Sequence, residues 1–427
     1  MSKLAQYKHP QESSISIPDE MDALILSGKG FENLSLQRVP VPQPGENQFL
    51  GRVDAVFGCA SDGKFIENGK THPLLYGWDI DRWPVSIGHE GCITAVKVGE
   101  NLKDKIKVGD AFALQPAINT RPINHIERYA NPATINKVAI GYSLGGMFAE
   151  YILITEEVIQ TDSLIPYDPK QIPYFAVAFS EPLSCVYSAQ NQVPHIYKEG
   201  PLSPREVRLG LKKGGVTLIL GGGPMGILHA DLAMMYKPQT IILSEPLELR
   251  RQQARQIIHA KAANRNIEFI LTTPEELPLV LKNVTKGRGV DDCISALGNA
   301  EVQEKSLDYL TKGGVANFFG GTKPGESQIT VDTRRIHYDS ISMVGSSGGD
   351  PSDVHAVMGL LKKREISPEL YVKRVGGLDM ALELVKSIKA QDFFGKGLIY
   401  PHVRHQLTPV ESWSFENENE FLEKNLP

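Results

Sequence analysis

The chain has 427 residues, 41% hydrophobic and 22% charged, and this length and composition predict about two to three globular domains. Lys and Arg total 45 against 50 for Asp and Glu, so the net charge of −5 provides no basic field and argues against nucleic-acid binding. Five glutamates and one lysine fall within 410–427, which places most of the excess charge at the C-terminal end.

Cysteine usage and the apolar stretches predict the compartment. The four cysteines are far apart and form no CxxC pair, as expected in a reducing environment. The first twenty residues contain no apolar core of signal-peptide length. The longest apolar stretch, 216–235, is interrupted by glycine, proline and polar residues. We expect a cytoplasmic protein without a transmembrane segment.

The first part of the chain reads as a β-rich domain over 21–192. Short apolar runs separated by turn residues predict a twisted antiparallel unit. A polar, irregular stretch at 119–137 precedes its last strand. The predicted strands are 23–26, 48–56, 91–98, 111–114 and 147–154.

From Val216 onward the pattern changes to alternating strands and helices, which predicts an α/β domain with a covered parallel sheet over 193–346. The segment 347–402 is expected to return to the first domain. An acidic tail at 403–427 could be disordered or pack on a neighbouring subunit. The predicted strands are 216–220, 240–243, 267–271, 291–295, 315–319 and 342–344, and the predicted helices are 226–236 and 247–259.

A glycine-rich turn follows the first of these strands and has the GxGxxG spacing of a dinucleotide site. Gly221 permits the tight turn, Gly223 lets the backbone approach a pyrophosphate, and Gly226 lets helix and strand pack closely. Pro224 and Met225 belong to the same turn, where the helix N-terminus supplies N–H donors. The alternative is a glycine-rich loop with no ligand.

Glu245, 24 positions after Gly221, ends the next predicted strand, where a carboxylate can accept hydrogen bonds from the adenosine ribose. Such a contact favours NAD over NADP by roughly ten- to a hundredfold. Arg250 and Arg251 follow on the next helix and could approach a 2′-phosphate. We therefore predict NAD and leave NADP open.

Candidate metal ligands occur in turns of the β-rich region. Cys59, His89 and Glu90 offer a thiolate, an imidazole and a carboxylate, and Glu181 offers a second carboxylate farther along. Catalytic zinc takes three such ligands and leaves one position open. Spacing alone leaves open a buried cysteine and a surface histidine with no metal.

The order of these motifs resembles that of the zinc-dependent medium-chain dehydrogenases, from Met21 to about Val403. The shared motifs are Cys59 to Asp62, Pro84 to Glu90, Val98-Gly99, Val108 to Asp110, Phe148 to Tyr151, Glu181 to Leu183, and Gly221 to Gly226. Within that superfamily the chain looks most similar to the polyol dehydrogenase branch and its L-sorbose 1-phosphate reductases. That likeness lies in Glu181 to Val186, Asn317 to Gly320, His337-Tyr338, Val344 to Gly349, and Gly376 to Asp379.

The resemblance implies a GroES-like β-rich catalytic domain and a Rossmann cofactor domain with a doubly wound parallel sheet. It implies that Cys59 and His89 bind a catalytic Zn²⁺, with Glu90 or Glu181 completing the site. It also implies that Asp62 accepts a hydrogen bond from the His89 ring, although a turn carboxylate in water is an equal alternative from the residues alone.

The resemblance further implies that Ser61 hydrogen-bonds the substrate hydroxyl. Two departures from the family pattern matter. Lys64 stands where many relatives carry a relay histidine, so a different proton relay is implied, with Ser61 and water as one route. The four cysteines of a structural zinc are absent from 119–137, so we expect a single catalytic zinc.

We therefore expect an oxidoreductase that transfers a hydride between a nicotinamide and the carbinol carbon of a polyol or ketose, held in the cleft between the domains. Zinc supplies the Lewis acid, which lowers the pKa of a bound water from 15.7 to ~7. A sugar phosphate would need a cationic subsite, for which the candidates are Lys64, Lys323, Arg334 and Arg335, although a solvated surface charge is the commoner role of such residues.

Alternatives are a butanediol- or threonine-type dehydrogenase, a zinc-free quinone-type reductase, and a non-catalytic nucleotide-binding protein. A homodimer or homotetramer is expected through the edge of the cofactor-domain sheet, at 315–319 or 342–344.

Overall fold

The computed structural model describes residues 2–323 and 325–427, except the side chain of Ser14. The chain forms two compact units: the first comprises the chain up to Ser184 together with Asp350–Pro427, and the second comprises Cys185–Gly349. The sequence placed the start of the second unit at 193, after the helix that contains Ser184. Among the described residues no helix is long and apolar enough to cross a bilayer.

The strands are, in chain order, β1 Glu20–Leu26, β2 Leu34–Pro40, β3 Phe49–Phe57, β4 Val85–Ser86, β5 Glu90–Val98, β6 Ala111–Leu114, β7 Ala117–Ile118, β8 Val138–Ala139, β9 Tyr151–Ile154, β10 Leu164–Tyr167, β11 Pro194–Tyr197, β12 Glu206–Leu209, β13 Val216–Leu220, β14 Thr240–Ser244, β15 Glu268–Thr272, β16 Val290–Ser295, β17 Leu310–Phe318, β18 Ser342–Gly345, β19 Val372–Gly377, β20 Lys396–Tyr400 and β21 Thr408–Pro409. The helices are α1 Lys3–Lys8, α2 Ala60–Asn68, α3 Glu156–Gln160, α4 Tyr174–Ala178, α5 Ser180–Asn191, α6 Pro224–Ala233, α7 Glu248–Asn264, α8 Leu277–Thr285, α9 Ala300–Asp308, α10 Thr333–Asp339, α11 Pro351–Lys362, α12 Ala381–Ala390 and α13 Phe415–Asn425.

The first unit is built around a largely antiparallel sheet in the order β10-β6-β5-β3-β20-β19-β21, with β9 also paired to β3. All nine residues of β3 are buried, as expected for a strand covered on both faces. The pair β19–β20 is parallel. Smaller sheets, β2-β1-β4 and β7-β8, complete the β-rich unit that the sequence predicted.

The second unit contains a six-stranded parallel sheet in the order β15-β14-β13-β16-β17-β18. Chain order reverses at β13, which lies between β14 and β16, and ligands of such sheets bind at the carboxyl ends of the strands at this reversal. This arrangement is the predicted Rossmann sheet. Of the two edge candidates, 342–344 lies in the edge strand β18. Residues 315–318 of the other lie in β17, which is paired on both sides, so that candidate is wrong.

The C-terminal segment corrects another expectation. Instead of being disordered or reserved for a neighbouring subunit, residues 415–425 form α13, which packs on its own unit. The Glu418 carboxylate is fully buried, accepts hydrogen bonds from the backbone N–H groups of Tyr174 and Phe175 (both 2.9 Å), and accepts another from the Tyr400 hydroxyl (2.8 Å). Since three donors satisfy this acidic residue, the helix can lie against the sheet.

Candidate functional site

Three strand ends of the first unit meet at one edge of its sheet. In the antiparallel pair β3–β5, Phe57 lies opposite Glu90, and in the pair β20–β3, Leu398 lies opposite Phe57. The Gly58 N–H donates to the Gly397 carbonyl at 3.0 Å, which extends this register past the end of β3. The register brings the residues after β3 next to the first residues of β5 and β20.

Cys59, His89 and Glu90 form a compact set of potential metal ligands at this edge. Their thiol sulfur, imidazole nitrogen and carboxylate oxygen all lie within 4.8 Å of one another. Tetrahedral zinc binds such atoms at about 2.0–2.3 Å. The donor types and their proximity therefore fit one zinc ion, and the predicted ligands Cys59, His89 and Glu90 are brought together.

Asp62 orients two members of this set. Its Oδ1 lies 3.0 Å from Nδ1 of His89, and its Oδ2 accepts a hydrogen bond from the Cys59 backbone N–H at 2.9 Å. The contact is possible because Cys59 precedes the first turn of α2, in which Asp62 is the third residue. A proton on Nδ1, facing this carboxylate, would leave the other ring nitrogen of His89 available to a metal.

The metal-free site favours protonated ligands. Burial and the negative charge of Glu90 raise the pKa of the Cys59 thiol above its usual value. Burial alone would lower the pKa of His89, but Tyr142 and Asp62 outweigh it, and the net shift is upward. Zinc binding therefore has to release protons.

Lys396, the first residue of β20, was not identified from the sequence. Its ammonium group forms a buried ion pair with Oε2 of Glu90 and lies 5.6 Å from the centre of the Phe57 ring. Burial lowers the pKa of Lys396, but Glu90 and Cys59 raise it by more than burial lowers it. The net shift of the pKa is upward, so the ammonium group remains charged. The sequence feature that could have identified Lys396 is a lysine at the start of the apolar strand 396–400.

Glu181, the alternative carboxylate ligand, lies in the first turn of α5 and is buried, but the Cys59, His89 and Glu90 ligand set does not include it. Its negative charge contributes to the raised pKa values of Lys396 and Tyr142. The sequence left Glu90 and Glu181 equal, whereas the structure places Glu90 with the other two candidate ligands.

Aromatic side chains border the ligand set and were also missed. The ring of Tyr142 lies 5.3 Å from that of His89, and the ring of His72 stacks on that of Tyr142 at 5.1 Å. His72 Nδ1 accepts from the Leu74 N–H (3.3 Å). Burial and the positive charges of Lys64 and His89 lower the pKa of His72 to about 4. Lys64 therefore contributes positive charge next to His72, at the border of the ligand set.

The predicted cationic residues are found in different places. Of the four, all of which the structure describes, Lys64 alone lies in the unit that holds the ligand set. Arg335 donates to the carbonyls of Leu307 and Leu310, and Arg334 lies over the Tyr338 ring at 5.0 Å. Both arginines belong to α10, and these contacts give each of them a structural role.

The glycine-rich turn has the backbone that its sequence predicted. Gly221 adopts a φ of +100°, and a side chain at Gly226 would put its Cβ 1.8 Å from the Gly221 carbonyl oxygen. A Cβ at Gly223 would meet nothing within 4 Å, so its backbone is open to an approaching group. Pro224 and Met225 begin α6 immediately afterwards.

Glu245 lies against this turn. Its carboxylate is buried and accepts hydrogen bonds from the N–H groups of Gly222 (2.7 Å) and Leu247 (3.0 Å). Arg250 lies 3.5 Å from the same carboxylate, and Arg251 donates to the Glu245 and Pro246 carbonyls. Both arginines that could have met a 2′-phosphate are therefore engaged with Glu245 or its backbone.

Comparison with known proteins agrees with this architecture. Residues 45–163 match the family model of the alcohol dehydrogenase GroES-like domain, and residues 224–363 match that of zinc-binding dehydrogenases. The chain is 30% identical over 393 residues to mannitol-1-phosphate 5-dehydrogenase of Aliivibrio fischeri, covering 90% of this chain and 88% of the relative. It is 28% identical to L-sorbose 1-phosphate reductase of Klebsiella pneumoniae, covering 91% and 90%.

A solved structure shows the same fold. The crystal structure of 2R,3R-butanediol dehydrogenase from Bacillus subtilis superposes with a TM-score of 0.70 at 20% identity, covering 89% of this chain and 99% of that one. This structure confirms the predicted fold class, and the family models together with the 30% identical relative confirm the predicted family resemblance.

Proposed function

Because the chain belongs to the zinc-dependent medium-chain dehydrogenases, in their polyol branch, we propose that it interconverts a phosphorylated polyol and the matching ketose phosphate with NAD. Its activity as an NAD(P)-linked polyol oxidoreductase follows from the family. The phosphorylated substrate and the choice of NAD are the finer steps that we propose here. The observation that carries the proposal is the convergence of Cys59, His89 and Glu90 in one buried set.

Cys59, His89 and Glu90 would hold one zinc ion, with Glu181 as the carboxylate that could exchange with Glu90. Bound there, the ion supplies Lewis-acid polarisation of the carbinol or carbonyl oxygen. Asp62 keeps the His89 ring oriented, and Lys396 balances the Glu90 charge in the metal-free state. The Cys59 thiolate and one carboxylate match the charge of a divalent ion.

Ser61 provides the group that handles the substrate proton. It lies two residues after Cys59 in the first turn of α2 and is partly exposed. Its hydroxyl can accept a hydrogen bond from the substrate hydroxyl and donate one to water. This route would take the place of the relay histidine, because Lys64 stands at that position in this chain. Glu90 supplies negative charge next to this step, and Asp62 holds the orientation of the His89 ring.

The phosphate of the substrate would meet Lys64. This ammonium group is exposed on α2, one turn beyond Ser61, and its charge reaches His72 beside the ligand set. Phosphate is commonly bound by lysine as a point charge. The names of the mannitol 1-phosphate and L-sorbose 1-phosphate relatives support a phosphorylated substrate, since these proteins act on such compounds.

The cofactor would lie on the Gly221–Gly226 turn, with the pyrophosphate at the N-terminus of α6. Each oxygen of Glu245 has a lone pair beyond its backbone hydrogen bond and could accept from the ribose hydroxyls. A buried carboxylate at this position repels a 2′-phosphate, which supports NAD.

We also propose a cytoplasmic homo-oligomer that pairs through β18, the exposed edge of the parallel sheet.

The proposal is tested by measuring kcat/KM for sorbitol 6-phosphate, sorbitol and 2,3-butanediol, each with NAD and with NADP, on zinc-loaded protein. We expect sorbitol 6-phosphate with NAD to be preferred. Lys64→Met should reduce that preference at least tenfold without changing the rate on sorbitol. Lys103→Met, at a surface lysine paired with Glu100, is the matched control. Equal rates on sorbitol and its phosphate would contradict the phosphorylated substrate.

A further inference from the structure

A two-stranded ribbon in the second unit, absent from the expectations drawn from the sequence, has no role in the proposed reaction. Strands β11 and β12 pair antiparallel from Pro194–Leu209 to Tyr197–Glu206, and residues 198–205 connect them. The ribbon precedes β13 and lies outside the six-stranded sheet.

One face of the ribbon is fastened to the second unit. His195 is buried, and its Nε2 lies 2.7 Å from Oδ1 of Asp292, which belongs to β16. Arg208 and Lys212 lie over the Tyr197 ring at 4.6 and 4.1 Å. The His195–Asp292 contact, together with the Lys212 N–H that donates to the same carboxylate at 2.8 Å, attaches the ribbon to β16, so its other face has a defined direction.

The opposite face is apolar and exposed. Ile196 and Val207 lie opposite each other, and they are 56% and 60% exposed, while Leu209 is 67% exposed. An exposed apolar strand with a free edge is normally paired or covered, because it otherwise promotes aggregation. This face therefore calls for a partner.

The register shows which backbone groups of β12 are free for pairing. The N–H of Gly210 donates to the Val193 carbonyl at 2.9 Å, which makes Val193–Gly210 a hydrogen-bonded pair. Hydrogen-bonded and non-hydrogen-bonded pairs alternate in an antiparallel ladder. Arg208 therefore bonds inward to β11, whereas the N–H and C=O of Val207 point to the outer edge. Among the described strands, β12 pairs with β11 alone.

We propose that a second copy of this chain adds its own β12 to this edge, antiparallel, with the two-fold axis at Val207. Val207 then exchanges both backbone hydrogen bonds with Val207 of the other copy. The neighbouring pairs are non-hydrogen-bonded, which brings their side chains close together, and they set Glu206 of each copy against Arg208 of the other. The two ribbons form a four-stranded sheet.

Charge and backbone parity select this partner and register. Backbone parity excludes axes that fall between two residues, and an axis at Glu206 or at Arg208 would set two like charges directly opposite each other. An axis at Leu209 would set Arg208 against Gly210, and one at Arg205 would set Glu206 against Pro204. Glu206 and Arg208 already form an ion pair with each other within β12 (3.0 Å), and the axis at Val207 adds two opposite-charge pairs between the copies, the self-complementarity that a two-fold contact requires. The contact uses a different strand from β18 and does not depend on the proposed reaction.

Crosslinking tests the axis directly. A hydrogen-bonded antiparallel pair has Cα atoms about 5.5 Å apart, within the range of a disulfide. Under mild oxidation Val207→Cys should form a covalent dimer at least tenfold faster than Ser203→Cys, a control in the connecting loop. Both are compared with the unsubstituted chain on non-reducing gels. Equal crosslinking at the two positions would overturn the proposal.

Two further variants keep the test independent of cysteine chemistry. Val207→Pro removes an outward N–H that β11 does not use, so the ribbon should persist while the molar mass by sedimentation equilibrium falls to half that of the wild type. Arg208→Glu should weaken association, and the double variant Glu206→Arg with Arg208→Glu should restore it. Unchanged NADH binding confirms folding. An unchanged molar mass for Val207→Pro, or failure of the double variant to restore association, would overturn the proposal.

Discussion

Nδ1 of His89 lies 3.0 Å from Oδ1 of Asp62, while the other oxygen of the same buried carboxylate accepts the backbone N–H of Cys59. One side chain therefore orients two proposed zinc ligands that are 30 positions apart in the sequence. A carboxylate at this distance favours a proton on Nδ1, which would leave the other imidazole nitrogen for the metal.

Replacing this carboxylate should weaken zinc binding. We expect Asp62→Asn to lower zinc affinity by about 10- to 100-fold, because the amide no longer holds the His89 proton on Nδ1 as strongly. Competition with a chromophoric chelator measures the affinity. Asp81→Asn, at an exposed aspartate paired with Lys70, is the control. An Asp62→Asn protein that binds zinc as tightly as the wild type would remove Asp62 from the site.

The Glu90–Lys396 pair predicts a stability that depends on metal. Lys396→Met leaves the Glu90 carboxylate buried without its cation, which should destabilise the metal-free protein by about 3–5 kcal/mol. Zinc supplies a replacement charge, so the rise in Tm on adding zinc should be larger in Lys396→Met than in the wild type. Lys396→Arg, which keeps the charge, should behave almost like the wild type. An equal zinc-induced shift in all three proteins would contradict the pairing.

Cofactor choice should depend on Glu245. We expect Glu245→Gln to raise the ratio of kcat/KM for NADP to that for NAD by about 10- to 100-fold, because the neutral amide no longer repels the 2′-phosphate. Glu248→Gln, at an exposed glutamate paired with Arg251, should leave the ratio unchanged. Steady-state kinetics with both cofactors give the ratio, and a wild-type preference for NADP would itself refute the assignment.

His229, on α6, predicts how stability varies with pH. Burial lowers its pKa to about 3, whereas an unfolded histidine has a pKa of about 6.5. The unfolded state therefore gains a proton before the native state does, and stability is lost as the pH falls from about 6.5 towards 3. At pH 5 the loss should be about 2 kcal/mol.

Urea unfolding at pH 7.5 and pH 5.0 measures this loss. The difference in unfolding free energy between the two pH values should be about 2 kcal/mol smaller in His229→Gln than in the wild type, whereas a control variant at the exposed His259, His259→Gln, should show the wild-type difference. A pH dependence identical in His229→Gln and the wild type would show that another group titrates.

The sequence located the candidate ligand residues because the motifs around Cys59 and His89 are local, and the glycine turn because its three glycines carry the backbone geometry. Lys396 escaped because it lies 306 positions from Glu90, and the two meet only through the register of β20 on β3. The acidic tail was misjudged because the donors that satisfy Glu418 belong to Tyr174 and Phe175, 244 and 243 positions away. Such pairings are tertiary and leave no local periodicity.

The most direct test is to measure zinc content and turnover of sorbitol 6-phosphate in the wild type, Cys59→Ser and Cys293→Ala, the last altering a buried cysteine of the second unit. We expect one zinc per chain and full turnover in the wild type and Cys293→Ala. In Cys59→Ser we expect loss of bound zinc and at least a thousandfold loss of turnover, with NADH binding retained. Zinc content and turnover at wild-type levels in Cys59→Ser would contradict the proposed site.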